Sequence, residues 1–96
     1  MAEILDGPRA DAALTELTDW HRTDVTIART VSLASFPEAI AVVDRVAVLA
    51  EAADHHPDID IRWRTLTFRL STHSEGALTT KDFALARQID EVIAAL

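Results

Sequence analysis

Apolar residues recur along this chain with two alternating periods. Ala10, Ala13, Leu14 and Leu17 fall at i, i+3, i+4 and i+7, the spacing of a short amphipathic helix. Gly7-Pro8 opens it. From Trp20 to Phe36 the period becomes two. Ile27, Val31 and Leu33 share one face with Arg29, while Ala28, Thr30, Ser32 and Ala34 share the other. With β-branched residues frequent and a turn at Thr23-Asp24, the segment predicts a hairpin, with strands over 19–23 and 26–35. Pro37 suits the first turn of a helix, because its missing N–H costs nothing there. That helix is predicted over 37–53. Ile40, Val42, Val43, Val46, Ala47, Leu49 and Ala50 fill about half of its circumference. Ala41 and Val48 stray onto the other half, which is more apolar surface than one sheet face needs. A second protomer is expected to cover the excess.

Pro57 cannot continue a helix, and it pushes His56 out of the α region. The helix must end by about residue 54. Alternation then returns, but its phase slips. Ile59, Ile61 and Trp63 are odd-numbered, while Leu66, Phe68 and Leu70 are even-numbered. One uninterrupted strand cannot switch faces, so a tight turn or a bulge is predicted near Arg64-Thr65, and a turn makes four strands in all. Ser71 and His73 then point away from the Leu66-Phe68-Leu70 face. Residues 74–77 read as a loop. Thr79, with Asp82 three residues on, opens the last helix as a capping box. Phe83, Ala86, Ile89, Val92, Ile93 and Leu96 form its buried stripe. The predicted order is αββαββα: an α+β fold with three helices on one face of a four-stranded antiparallel sheet.

Composition narrows the partners. The 96 residues suggest one domain, over 1–96, and one this small gains from self-association. Sixteen acidic residues against nine basic give a net charge of −7, which argues against nucleic acid and anionic membrane surfaces. There is no cysteine, hence no disulfide or thiolate chemistry. No apolar run is long enough to span a bilayer, and the start lacks a secretion-signal pattern. A soluble, cytoplasmic protein is expected.

The stretch Asp54-His55-His56-Pro57 carries the candidate chemistry. A histidine at a helix C-terminus can be a simple cap, favoured by the helix dipole. Imidazole is also the side chain whose ordinary pKa lies nearest neutrality. His73 ends a strand nearby in sequence, and carboxylates flank both places: Glu51 and Asp54, then Glu75 and Asp82. Carboxylates beside imidazoles are what acid–base catalysis uses. Glu51 could instead be a solvated charge, and Asp82 a plain cap. Trp20 and Trp63 suit either core or pocket wall. Zinc is a weak alternative, since adjacent histidines seldom face one ion and no HxxxH or HExxH spacing occurs. No GxSxG elbow or glycine-rich phosphate loop is present.

Glu51-Ala52-Ala53-Asp54-His55-His56-Pro57, Trp63, Ser71-Thr72-His73, Gly76-Ala77-Leu78-Thr79 and Asp82 together resemble the signature of the pterin-4a-carbinolamine dehydratases. The likeness extends over Trp20, the second strand and the long helix. One departure is Ala77, where the family often has a second glycine. The resemblance implies the αββαββα fold and dehydration of 4a-hydroxytetrahydropterin to quinonoid dihydropterin, with no metal or organic cofactor. It implies His55 and His73 as the acid–base pair. His56 would position the pterin or share the proton transfer. Glu51 and Asp54 would orient imidazoles or bond the pterin's amino edge. Ser71, Thr72 and Ser74 would contribute backbone or hydroxyl contacts to the ring, with Asp82, Trp20 and Trp63 in support. Three imidazoles should border one cleft. A homodimer or homotetramer is implied. So is an alternative role, as a non-catalytic assembly or coactivator-type module.

Overall fold

The computed structural model describes residues 2–96. In order, β1 (Ile4–Leu5), α1 (Gly7–Leu14), β2 (His21–Thr23), β3 (Thr26–Ser32) and α2 (Phe36–Ala53) form the first part. Then come β4 (Asp58–Arg62), β5 (Thr65–Leu70), β6 (Leu78–Thr79) and α3 (Thr80–Ala94). The main sheet is antiparallel, in the order β2-β3-β5-β4. The expected α+β architecture is therefore present. It gains a second sheet that periodicity did not reveal, β1 paired with β6.

Registers explain the core face. Ile27 pairs with Leu70, Val31 with Leu66, and Ile59 with Phe68. Side chains alternate across a strand, so these residues all face the helices. There they pack with Val42 and Val46 of α2 and with Phe83, Leu85 and Ile89 of α3. Burying each such side chain contributes about 1.5–3 kcal/mol. The opposite face is polar, with Thr30–Thr67 and Ser32–Thr65 hydroxyl contacts of 3.0 and 2.9 Å. Arg29 is a charge on the core face. It reaches α3, where its Nη1 donates to Asp90 Oδ1 at 2.5 Å. Trp20, a core residue, donates from Nε1 to the same oxygen at 2.9 Å.

Two termini are set locally. Ser35 caps α2 through Glu38 N–H, and Pro37 lies in its first turn. At the far end Asp54 adopts a left-handed conformation, φ 49°. His55 N–H donates to Ala50 O at 3.0 Å and Asp54 N–H to Glu51 O at 3.2 Å. That bond pair is a Schellman closure, with Asp54 where glycine is commonest. Near α1, Arg22 donates to Asp11 and holds that carboxyl below its ordinary value. The contribution is present above about pH 4 and is lost as pH falls through the lowered folded value. Asp11 faces solvent, so the effect on stability is small.

The turn between β4 and β5 is Trp63-Arg64, one residue earlier than expected. Trp63 has φ 54° and is 72% exposed, with the Arg64 guanidinium 5.0 Å from its ring centroid. The left-handed backbone of this two-residue loop turns the indole outward, so it is not a core residue.

Candidate active site

Sheet register brings the separated motifs together. Asp58 at the start of β4 pairs with Arg69 near the end of β5. The break after α2, residues 54–57, therefore lies beside the segment that leaves β5 at Leu70. Trp63 sits at the opposite end of the same hairpin, away from this junction.

Consecutive residues in extended chain point opposite ways. His55 turns in and is 8% exposed, while His56 turns out. His55 Nε2 lies 2.6 Å from Asp82 Oδ1 on α3. Asp82 is fully buried, and its other oxygen accepts from Thr72 Oγ1 at 2.8 Å and from Thr79 N–H at 2.9 Å. The two readings of Asp82 are thus both realised: one oxygen closes the capping box, the other meets an imidazole. Outside, His56 Nε2 meets Glu51 Oε1 at 2.6 Å, with both side chains largely in solvent. Such an exposed pair contributes little stability, but it orients the ring.

His73 directly follows Thr72 and opens a short 3₁₀ turn over His73–Glu75. The strand has already ended at Leu70. Thr72 forms a bridge with Ala77 instead, closing the loop. Gly76 supplies the one left-handed residue of that loop, at φ 59°, and Ala77 is not called upon to. The substitution of the family's second glycine is therefore free of strain. His73 and Ser74 are exposed.

Not every hydroxyl is available for a ring contact. The Ser71 hydroxyl donates to Val25 O at 2.6 Å. The Thr72 hydroxyl is buried and committed to Asp82 and Thr79. Neither hydroxyl has a proton free for a ligand, which leaves backbone contacts to these two residues, whereas Ser74 is exposed. Trp20 belongs to the core. Asp54 is exposed and ends the helix. A groove of about 590 Å³ shares Thr72 and Ser74 with the cluster, but none of the three histidines lines it. The sequence predicts three imidazoles round a single cleft, and this groove is not that cleft. Among the described residues no group of three or more His, Asp or Glu is gathered as metal ligands.

Asp54→Gly should raise stability by about 1 kcal/mol, by removing a left-handed non-glycine residue. Urea denaturation reads the gain, and an unchanged or lower midpoint contradicts it.

Periodicity missed Thr79 as a partner of Thr72. The only signal was its cap position, which says nothing about where its hydroxyl proton goes.

Residues 3–92 match the family described as "Pterin 4 alpha carbinolamine dehydratase". A Nocardia farcinica protein provisionally named pterin-4-alpha-carbinolamine dehydratase is 61% identical over 90 residues, covering 94% of this chain and 95% of its own. A similarly named Roseiflexus castenholzii protein is 57% identical over 93 residues, covering 97% and 100%. The crystal structure of a transcriptional coactivator/pterin dehydratase from Brucella melitensis superposes with a TM-score of 0.90 at 28% identity, covering 94% of this chain and 98% of that one. A pterin dehydratase-like protein, identified as a RuBisCO assembly factor in the alpha-carboxysome, shares the fold at a TM-score of 0.66 and 19% identity, covering 77% and 88%. Among the described residues no helix is long and apolar enough to cross a membrane.

Proposed function

The chain belongs to the pterin-4a-carbinolamine dehydratase family, and from that premise we propose that it converts 4a-hydroxytetrahydropterin to quinonoid dihydropterin and water. The step serves tetrahydropterin recycling after aromatic hydroxylation. One observation carries the reading: inside the matched motif, His55 is held at 2.6 Å by a buried carboxylate, Asp82. A surface cap needs no such partner.

The reaction breaks the C4a–O bond. The N5–H proton leaves, its electron pair forms the C4a=N5 bond, and the departing hydroxide takes up a proton to become water. One group must donate and one accept. His55 and His73 fill these roles, with His56, oriented by Glu51, placing the pterin. Asp54 and Ser74 offer polar contacts at the rim. Proton transfer by placed side chains contributes about 10²–10⁴-fold to such steps. The chemistry calls for neither metal nor organic cofactor.

The purified chain should dehydrate 4a-hydroxypterin generated by a hydroxylase, followed by absorbance. Turnover at the spontaneous rate, or activity untouched in both His55→Ala and His73→Ala, refutes the assignment. The second reading, an assembly or coactivator-type module, is favoured by the descriptions of the two structural neighbours. It predicts a partner retained on pull-down by His55→Ala as well as by wild type.

The reading includes a homodimer or homotetramer. Phe36 and Val48 of α2 are 48% and 69% exposed, with Ala41 and Ala47 exposed on the same helix. Light scattering at micromolar concentration should give a multiple of 10.5 kDa. A monomeric mass contradicts it.

A further inference from the structure

Resting on that reading of His55, we propose that the hydroxyls of Thr79 and Thr72 act through Asp82 to hold His55 in its Nε2–H tautomer, which makes Nδ1 the proton-transfer atom.

The direction of each proton follows from counting. A threonine hydroxyl has one proton to donate. Thr72 gives its proton to Asp82 Oδ2 at 2.8 Å. At the 2.7 Å contact between the two hydroxyls, Thr79 must therefore be the donor. Thr79 Oγ1 remains an acceptor for Lys81 N–H at 3.2 Å. The chain runs one way, Thr79 to Thr72 to Asp82. An ionised carboxylate only accepts, and the N-terminus of α3 with two donors on Oδ2 suits an anion. The proton in the 2.6 Å contact thus belongs to His55 Nε2, and Nδ1 of the neutral ring keeps its lone pair.

Nδ1 is open for use. It has no hydrogen-bond partner among the described residues. Nor is it buried without one, as Arg29 Nε is. It therefore reaches the opening through which His55 is 8% exposed.

Both threonines stand on fixed backbone. Thr72 N–H donates to Ala77 O at 3.0 Å. Thr79 pairs with Ile4 of β1, and Thr80 N–H donates to Glu3 O at 3.0 Å. The small sheet thereby anchors the far end of the chain of hydroxyls. Thr72, Thr79 and Asp82 are positioning residues, since each of their side-chain oxygens already has a partner within the network.

The test is a long-range ¹⁵N–¹H correlation spectrum of the histidine rings in the full chain. The neutral ring of wild-type His55 should show the Nε2–H tautomer. Thr72→Val should show mixed tautomers and a kcat lower by about 10-fold, with KM unchanged. Thr72→Ser, which restores the hydroxyl, should recover both. A wild-type Nδ1–H tautomer overturns the inference, and so does a Thr72→Val protein with native tautomer and kcat. The wild-type spectrum decides even where Thr72→Val does not fold. A wild-type chain with no turnover and an Nε2–H tautomer lost in Thr72→Val sinks the proposed reaction but not the positioning. Normal turnover with an Nδ1–H tautomer sinks the inference alone.

Discussion

Asp82→Ala is expected to cost about 3–5 kcal/mol of folding stability, the range for breaking a buried charged pair by removing one partner. Domains of this size have only about 5–15 kcal/mol in total. The carboxylate receives donors from three places: His55 Nε2, the Thr72 hydroxyl and Thr79 N–H. Each buried donor left unpaired costs about 1–3 kcal/mol. These costs do not add fully, because the three groups share one network. The same change removes the carboxylate half of the capping box at the start of α3. It also loosens the join between the break after α2, the end of β5 and α3. Asp82→Asn keeps the volume but turns one acceptor into a donor facing an Nε2–H. It should fold with a smaller loss, of about 1–2 kcal/mol. Urea denaturation with a two-state fit measures both, through the midpoint at constant slope. A loss below about 1 kcal/mol for Asp82→Ala, no more than a lone hydrogen bond contributes, would show that the network does not hold the junction together.

Where the backbone obeys a period or a proline, the sequence was readable. Pro37 and Pro57 bracket α2, and the phase slip between Ile61 and Leu66 marks the β4–β5 turn. Thr79 and Asp82 announce α3. What escaped depends on pairing or on φ. Two-residue strands have no period, so β1 is invisible before the first helix and β6 falls between the predicted loop and the Thr79 cap. Trp63 has the parity of Ile59 and Ile61, yet a φ of 54° rotates it into solvent. The last predicted strand was carried to residue 73, but it ends at Leu70. Past that point alternation no longer holds, and the Thr72 hydroxyl turns to the buried Asp82. The paired histidines were legible as a motif but not as a division of labour. Pro57 keeps residue 56 extended, so neighbouring rings diverge, one to a buried carboxylate and one to an exposed one. The number of residues between Glu51 and His56, or between His55 and Asp82, does not contain that distinction. It comes from the register that sets Asp58 against Arg69.

His55→Ala should lower kcat by about 10²–10⁴-fold while KM moves little, the loss expected when a positioned acid–base group is removed. In activation free energy that is about 2.7–5.5 kcal/mol. The substitution also leaves Asp82 Oδ1 without its partner, so a stability loss of about 1–3 kcal/mol is expected beside the kinetic one. The two effects separate by measuring the rate well below the unfolding midpoint. They separate further with Asp82→Asn, which keeps His55 while disturbing its partner. His56→Ala is the internal comparison. Its ring is exposed and its pairing with Glu51 lies in solvent, so its loss should not affect folding. A kcat decrease much smaller than that of His55→Ala assigns proton transfer to the buried imidazole. Equal decreases would mean that the 2.6 Å contact with Asp82 does not distinguish the two rings in function. If His55 and His73 act on one substrate as donor and acceptor, as proposed, the double variant should fall little below the worse single one. A product of the two single effects would instead place the histidines in independent steps, and the shared dehydration step would have to be abandoned.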